Sequence, residues 1–183
     1  MPDNSESLLR TFDYVWARTL ARTDGLTDHE YFWEPVPGCW TLRHGADGHW
    51  TLDGGGGGGP APDPVPVTTI AWRIGHLGGM ALGGFATMRF DANLTQDAKE
   101  FPGTAHGVKP FLEGNYQAWR NALGDLDEGG WNAPLGPSWG DYADDNNFDL
   151  VLHILDEVVH HSAEVGVMRD LYSQRASLQT GDA

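Results

Sequence analysis

Basic residues are scarce in this chain. Eleven lysines and arginines face 26 aspartates and glutamates across 183 residues, for a net charge of −15. A surface of that sign repels phosphate backbones and anionic lipid headgroups, which argues against nucleic-acid and membrane-surface binding. Cysteine is nearly absent. Cys39 stands alone, so no internal disulfide can form, and a reduced, cytoplasmic setting is the default expectation. No paired base accompanies Cys39 in the sequence, so it reads as a small buried residue rather than a nucleophile. No apolar run approaches the ~18 residues of a membrane span. The opening "MPDNSESLLR" has neither the basic start nor the apolar core of a signal peptide. Strand–helix alternation is missing too, which removes the α/β classes.

What the chain does hold is helical periodicity. Leu8, Leu9, Phe12, Val15, Trp16 and Leu20 recur at three- and four-residue spacing and predict a first helix over 5–24, with Gly25 as its stop. Thr27 or Asp28 can cap a short helix that runs to Trp33 and ends before Pro35. "WTLRHGADGHWTLD" reads as two extended pieces around a Gly-Ala-Asp-Gly turn, a small β-hairpin within 40–53 with His44 and His49 solvent-exposed beside the turn. Six glycines at 54–59 and four prolines up to Pro66 read as a mobile loop. A phosphate-binding loop would need a Lys-Ser/Thr ending and a preceding buried strand, and has neither.

A second long helix starts after Thr68 or Thr69. Its glycines (75, 78, 79, 83 and 84) weaken it locally but allow close approach of a neighbour. A third runs from about 107 to 126, with Phe111, Leu112, Tyr116, Trp119 and Leu123 inward, and a fourth covers 147–173, after a second irregular stretch at 129–147. The 183 residues fit one domain. The expected fold is an all-α four-helix bundle with long connecting loops and the small hairpin.

The fourth helix carries "VLHILDEVVHHSAEVG", which concentrates three of the chain's eight histidines. At about 100° per residue His153, Glu157, His160 and Glu164 share roughly one quadrant, and Glu157 and His161 form an i, i+4 pair able to share an ion. One helix cannot close a metal site, and His76, mid-way along the second helix, is the candidate from a facing element. Two readings stand: a metal site, or a wet polar face with His76 as a hydrogen-bonded core histidine. "DHEYFW" begins like a zinc-protease helix, but Trp33 stands where the second histidine belongs.

"TTIAWRIGHLGG" (68–79) together with "VLHILDEVVHHSAEVGVMRDLY" (151–172) resembles the DinB-like superfamily of four-helix proteins, and "YFWEPVPGCWTLR" (31–43) with "AWR" (118–120) is similar to its actinobacterial branch. That group includes thiol S-transferases and isomerases that use mycothiol or bacillithiol. The resemblance implies a four-helix bundle, often a homodimer, that holds a divalent metal on one histidine of the second helix and a His-x-x-x-His pair of the fourth. Carried onto this chain, the ligands are His76, Glu157 and His161. Glu157 stands where the family has histidine, with His160 and His153 as alternative ligands or hydrogen-bonding neighbours. Two histidines and a carboxylate suit zinc, nickel or ferrous iron.

The activity implied is transfer of a low-molecular-weight, mycothiol-like thiol to a small electrophilic substrate, with Arg73 or Arg43 helping to receive an anionic thiol. Metal-dependent hydrolysis is an alternative. A non-enzymatic bundle that has lost the metal is the other, with Trp72, Trp119 and Trp131 lining an apolar cavity.

Overall fold

The computed structural model describes residues 3–56, 62–94 and 100–179. Helix α1 (Asp3–Ala21) is followed by a one-turn helix α2 (Asp28–Tyr31), whose cap is Thr27: its hydroxyl accepts the Glu30 amide at 3.3 Å. Strands β1 (Leu42–His44) and β2 (Trp50–Leu52) pair antiparallel, Arg43 opposite Thr51, around the Gly-Ala-Asp-Gly turn. His44 and His49 are exposed there. Cys39 is buried, its Sγ donating to the Val36 carbonyl at 3.0 Å.

Thr69 caps the second long rod, accepting the Trp72 amide at 3.2 Å. This rod is not uniformly α. It begins as α3 (Ile70–Ile74), widens into a π-helical segment over Gly75–Gly84, and closes as α4 (Phe85–Phe90). Glycine supplies the reason. A β-carbon at Gly78 would meet Phe111 Cε1 at 2.5 Å, and one at Gly75 would meet Leu52 Cδ2 at 2.9 Å. The glycine face lets α5 (Val108–Gly124) and the hairpin press onto the backbone itself.

The stretch after α5 is less irregular than the sequence suggests. Asp127 caps a single turn, α6 (Glu128–Trp131), and a 3₁₀ segment covers Pro137–Tyr142. An Asn146–Asp149 capping box then opens α7 (Asn147–Ser173), followed by the short α8 (Arg175–Gln179). The glycine loop lies partly outside the described residues, at 57–61.

The rods α1, α3 through α4, α5 and α7 close into the expected four-helix bundle. Thr19 and Ser162 hydroxyls meet at 2.6 Å between α1 and α7. Trp16 stacks on Tyr116 at 4.4 Å between α1 and α5. The apolar seam of α7 runs Val151, Ile154, Val158, His161, Val165 and Met168, all buried. Its spacing is the alternating four and three of a helix packed on one face, and its single histidine is the polar interruption. Trp119 and Trp131 are fully buried in this core, and Trp72 is 4% exposed.

Candidate metal centre

The π segment and α7 run antiparallel. His76 therefore meets Glu157 and His161, whereas Phe85, further along its rod, meets His153, further back on α7. Two histidine Nε2 atoms converge on one oxygen: Glu157 Oε2 lies 2.9 Å from His76 and 3.1 Å from His161. One ligand atom from each of the three residues lies within 4.8 Å of the others.

The far nitrogens are tethered. His76 Nδ1 is 2.6 Å from the Gly56 carbonyl, which can only accept, so Nδ1 carries a proton and Nε2 is the nitrogen turned to Glu157, donating to its carboxylate when no ion is present and offering its lone pair to an ion. His76 is also stacked on Trp72, ring centroids 5.1 Å apart. His161 Nδ1 is 2.6 Å from Glu164 Oε2. Arg73 closes the outer ring, its Nε 2.8 Å from the same oxygen. Arg73 Nη1 also lies 3.2 Å from His161 Nδ1. A guanidinium only donates, so that contact competes with the Nδ1–H···Glu164 bond, and the shorter carboxylate contact prevails.

Glycine backbone builds one of these tethers. Gly54, Gly55 and Gly56 have φ of 64°, 68° and 85°. Three successive left-handed residues are cheap only for glycine, and they turn the Gly56 carbonyl onto His76. The glycine run is thus, in its described part, a shaped support.

Electrostatics follow the contacts. The hydrogen bonds from His161 and then His76 hold the Glu157 carboxyl far below the usual carboxylate range. Burial works to lower the His161 pKa, but its bonds to Glu157 and Glu164 outweigh that and raise it. Burial likewise opposes ionisation of Glu164, and His161 with Arg73 reverses the balance and lowers its pKa. Without an ion, both His161 nitrogens face carboxylate oxygens, an arrangement that favours the imidazolium. With a cation at Nε2, it keeps Nδ1–H on Glu164, the orientation in which metal-bound histidines are usually held.

The donor set fits such an ion. A tetrahedral site with ligands at about 2.0–2.1 Å separates neighbouring donors by ~3.3 Å. The observed 2.9 and 3.1 Å need open only slightly.

The other sequence candidates lie apart from the converging atoms. His160 is mostly exposed, stacks on His161 at 4.7 Å and reaches Glu164 Oε1 at 3.3 Å; His160, His161 and Glu164 form a second, overlapping group of ligand atoms. His153 turns away to an aromatic cavity beside Phe85. Arg43, on β1, pairs with Asp53 and Glu34. The sequence places Glu164 in the shared quadrant but does not pair it with His161, and it gives no sign of the Gly56 carbonyl. The i+3 spacing from His161 was the available signal for Glu164.

A family model of the DinB superfamily matches residues 11–165. The chain belongs to the DinB superfamily. Neither curated proteins nor solved structures contain a significant match to it.

Proposed function

We propose that this protein is a metal-dependent enzyme that binds a divalent ion on His76, Glu157 and His161 and transfers a low-molecular-weight thiol to a small electrophile. The observation that carries this reading is the convergence of two histidine Nε2 atoms on Glu157 Oε2, each histidine tethered through Nδ1. Superfamily membership supports it, since members typically hold a divalent metal. Such an ion, held by three protein groups, supplies an open position and lowers the pKa of a bound thiol.

The protein groups do the rest. Glu157 and Glu164 nearly offset a dication together with Arg73, leaving one net positive charge that favours a thiolate over a neutral thiol. His161 keeps its proton on Nδ1 against Glu164 Oε2, so that proton stays out of the reaction. In the transfer, the thiolate sulfur forms the bond to carbon, the leaving group departs with its electron pair, and the thiol proton goes to solvent. The same centre would serve hydrolysis with hydroxide in place of thiolate.

A non-enzymatic reading has its own support: the cluster satisfies its hydrogen bonds without any ion. Elemental analysis of untagged protein separates the readings. About one equivalent of zinc, nickel or iron is expected per chain, lost in His76→Ala and in His161→Ala. No metal in the wild type, even after reloading, sinks the enzyme reading. A small-molecule substrate is the expected partner. A homodimer would cover the outward apolar residues Leu152, Val159 and Val167 of α7; sedimentation as a monomer at micromolar concentration removes that proposal.

A further inference from the structure

One turn before Glu157 on α7, His153 opens onto a separate cavity of about 330 Å³ between α4, the 3₁₀ segment at Pro137–Tyr142 and the start of α7. Its walls are aromatic. Phe85 and Trp139 stack at 5.8 Å with 23° between their planes, and His153 stands edge-on to Phe85. Tyr142, also in the lining, is 65% exposed. Two carboxylates, Asp145 and Asp149, line the cavity, and among the described residues no lysine or arginine does.

The charges around the cavity are accounted for. Arg89 is engaged with neutral partners: its guanidinium donates to Asn147 Oδ1 at 2.6 Å and to the Leu135 and Pro134 carbonyls at 3.3 and 3.0 Å. The positive end of α7 is answered by its own capping box, in which Asp149 Oδ2 accepts the Asn146 amide at 3.0 Å. Asp145 is different. Its backbone is pinned, its carbonyl accepting the Leu135 amide at 2.7 Å and its amide reaching the Tyr142 carbonyl at 3.1 Å. Among the described residues its carboxylate has no hydrogen bond and no ion pair. The wall is therefore held in place, and it presents one solvent-exposed carboxylate with no protein partner among the described residues in a cavity that three aromatic rings line.

We propose that this cavity binds a small organic ammonium ion carrying an apolar group. Aromatic faces attract a cation through their quadrupole, and a carboxylate at the rim pairs with its charge. The volume sits at the small end of ligand pockets. Binding needs no metal and does not depend on the thiol-transfer reading, so it is tested on chelated protein.

The test is calorimetric titration of the full chain in EDTA with benzylamine, benzyltrimethylammonium, benzyl alcohol and benzoate. Saturable binding of the two cations is expected, with benzyl alcohol about five- to tenfold weaker and benzoate not bound. Asp145→Asn should weaken the cations about fivefold and leave benzyl alcohol unchanged, whereas Trp139→Ala should weaken all binding. An unchanged melting temperature in Asp145→Asn certifies the fold. Equal affinity for benzylamine and benzyl alcohol, indifference to Asp145→Asn, or no saturable binding of either cation overturns the proposal.

Discussion

At the residue scale, His161 is the informative position. It occupies a place in the α7 seam where Val158 and Val165 show that an apolar side chain belongs. A buried imidazole there must bond through both nitrogens, and Glu157 and Glu164, four before and three after, provide the partners. Reading the three-four seam from sequence puts His161 inside and His153 and His160 outside; counting histidines alone does not. What no pattern reveals is the Gly56 carbonyl, because a backbone atom brought across the fold leaves no mark in residue types.

Two outcomes follow from these contacts. The His161 pKa is raised, so its stabilisation is complete below about 6.5 and is lost as pH rises through the raised value. Glu157 and Glu164 are lowered, so theirs is complete above about 4.5 and is lost on acidification. The chelated protein should therefore melt highest between about pH 4.5 and 6.5 and lower at alkaline pH, and His161→Asn should flatten the alkaline fall. A wild-type melting temperature that climbs steadily from neutral to alkaline pH would contradict this. Separately, Gly55→Ala meets no atom within 4 Å but must hold φ near 68°. It should cost about 1–2 kcal/mol in urea unfolding and weaken metal retention by displacing the Gly56 carbonyl. An unchanged midpoint would show that the loop is not a support.

At the element scale, periodicity located the four rods, and Thr69 is one of the two caps expected for the second, because amphipathic spacing and a capping threonine are local signals. The π segment was not legible. The glycines at 75, 78, 79, 83 and 84 forecast a close neighbour but not the changed hydrogen-bond register, which depends on what presses on them. Gly78 gives the sharpest test, since a β-carbon there would collide with the Phe111 ring, itself only 3% exposed and unable to swing away. Alanine would gain helix propensity of about 1 kcal/mol. Overpacking of about 1–3 kcal/mol opposes that gain, so Gly78→Ala should be net destabilising. A higher unfolding midpoint for Gly78→Ala would mean that α5 can shift outward and that the glycine face is not needed for packing.

At the scale of the whole molecule, the charge of −15 sets a balance that local contacts do not show. Most of its few cations are already paired. Arg169 is one of these straps, with the most buried carboxylate partner: it reaches Glu30 Oε1 at 2.8 Å and the Arg22 and Asp24 carbonyls at 2.6 and 2.8 Å, tying α7 to the α1–α2 turn. Glu30 is 6% exposed, so Arg169→Met would strand a buried carboxylate and should cost about 3 kcal/mol, read from the urea midpoint. The remaining carboxylates repel one another across the surface. Added salt screens that repulsion over distances beyond about 10 Å at 0.1 M, while the half-buried Arg169–Glu30 contact is screened far less. The chelated protein should thus gain stability as sodium chloride is raised from ~0.01 to ~0.3 M. A gain of about 1 kcal/mol would read as roughly 2–4 °C in a chain of this size. A melting temperature that falls with salt would mean that exposed pairs such as Arg120–Asp13 outweigh the surplus negative charge. The acidic surface would then be stabilised by its pairing rather than strained by its excess.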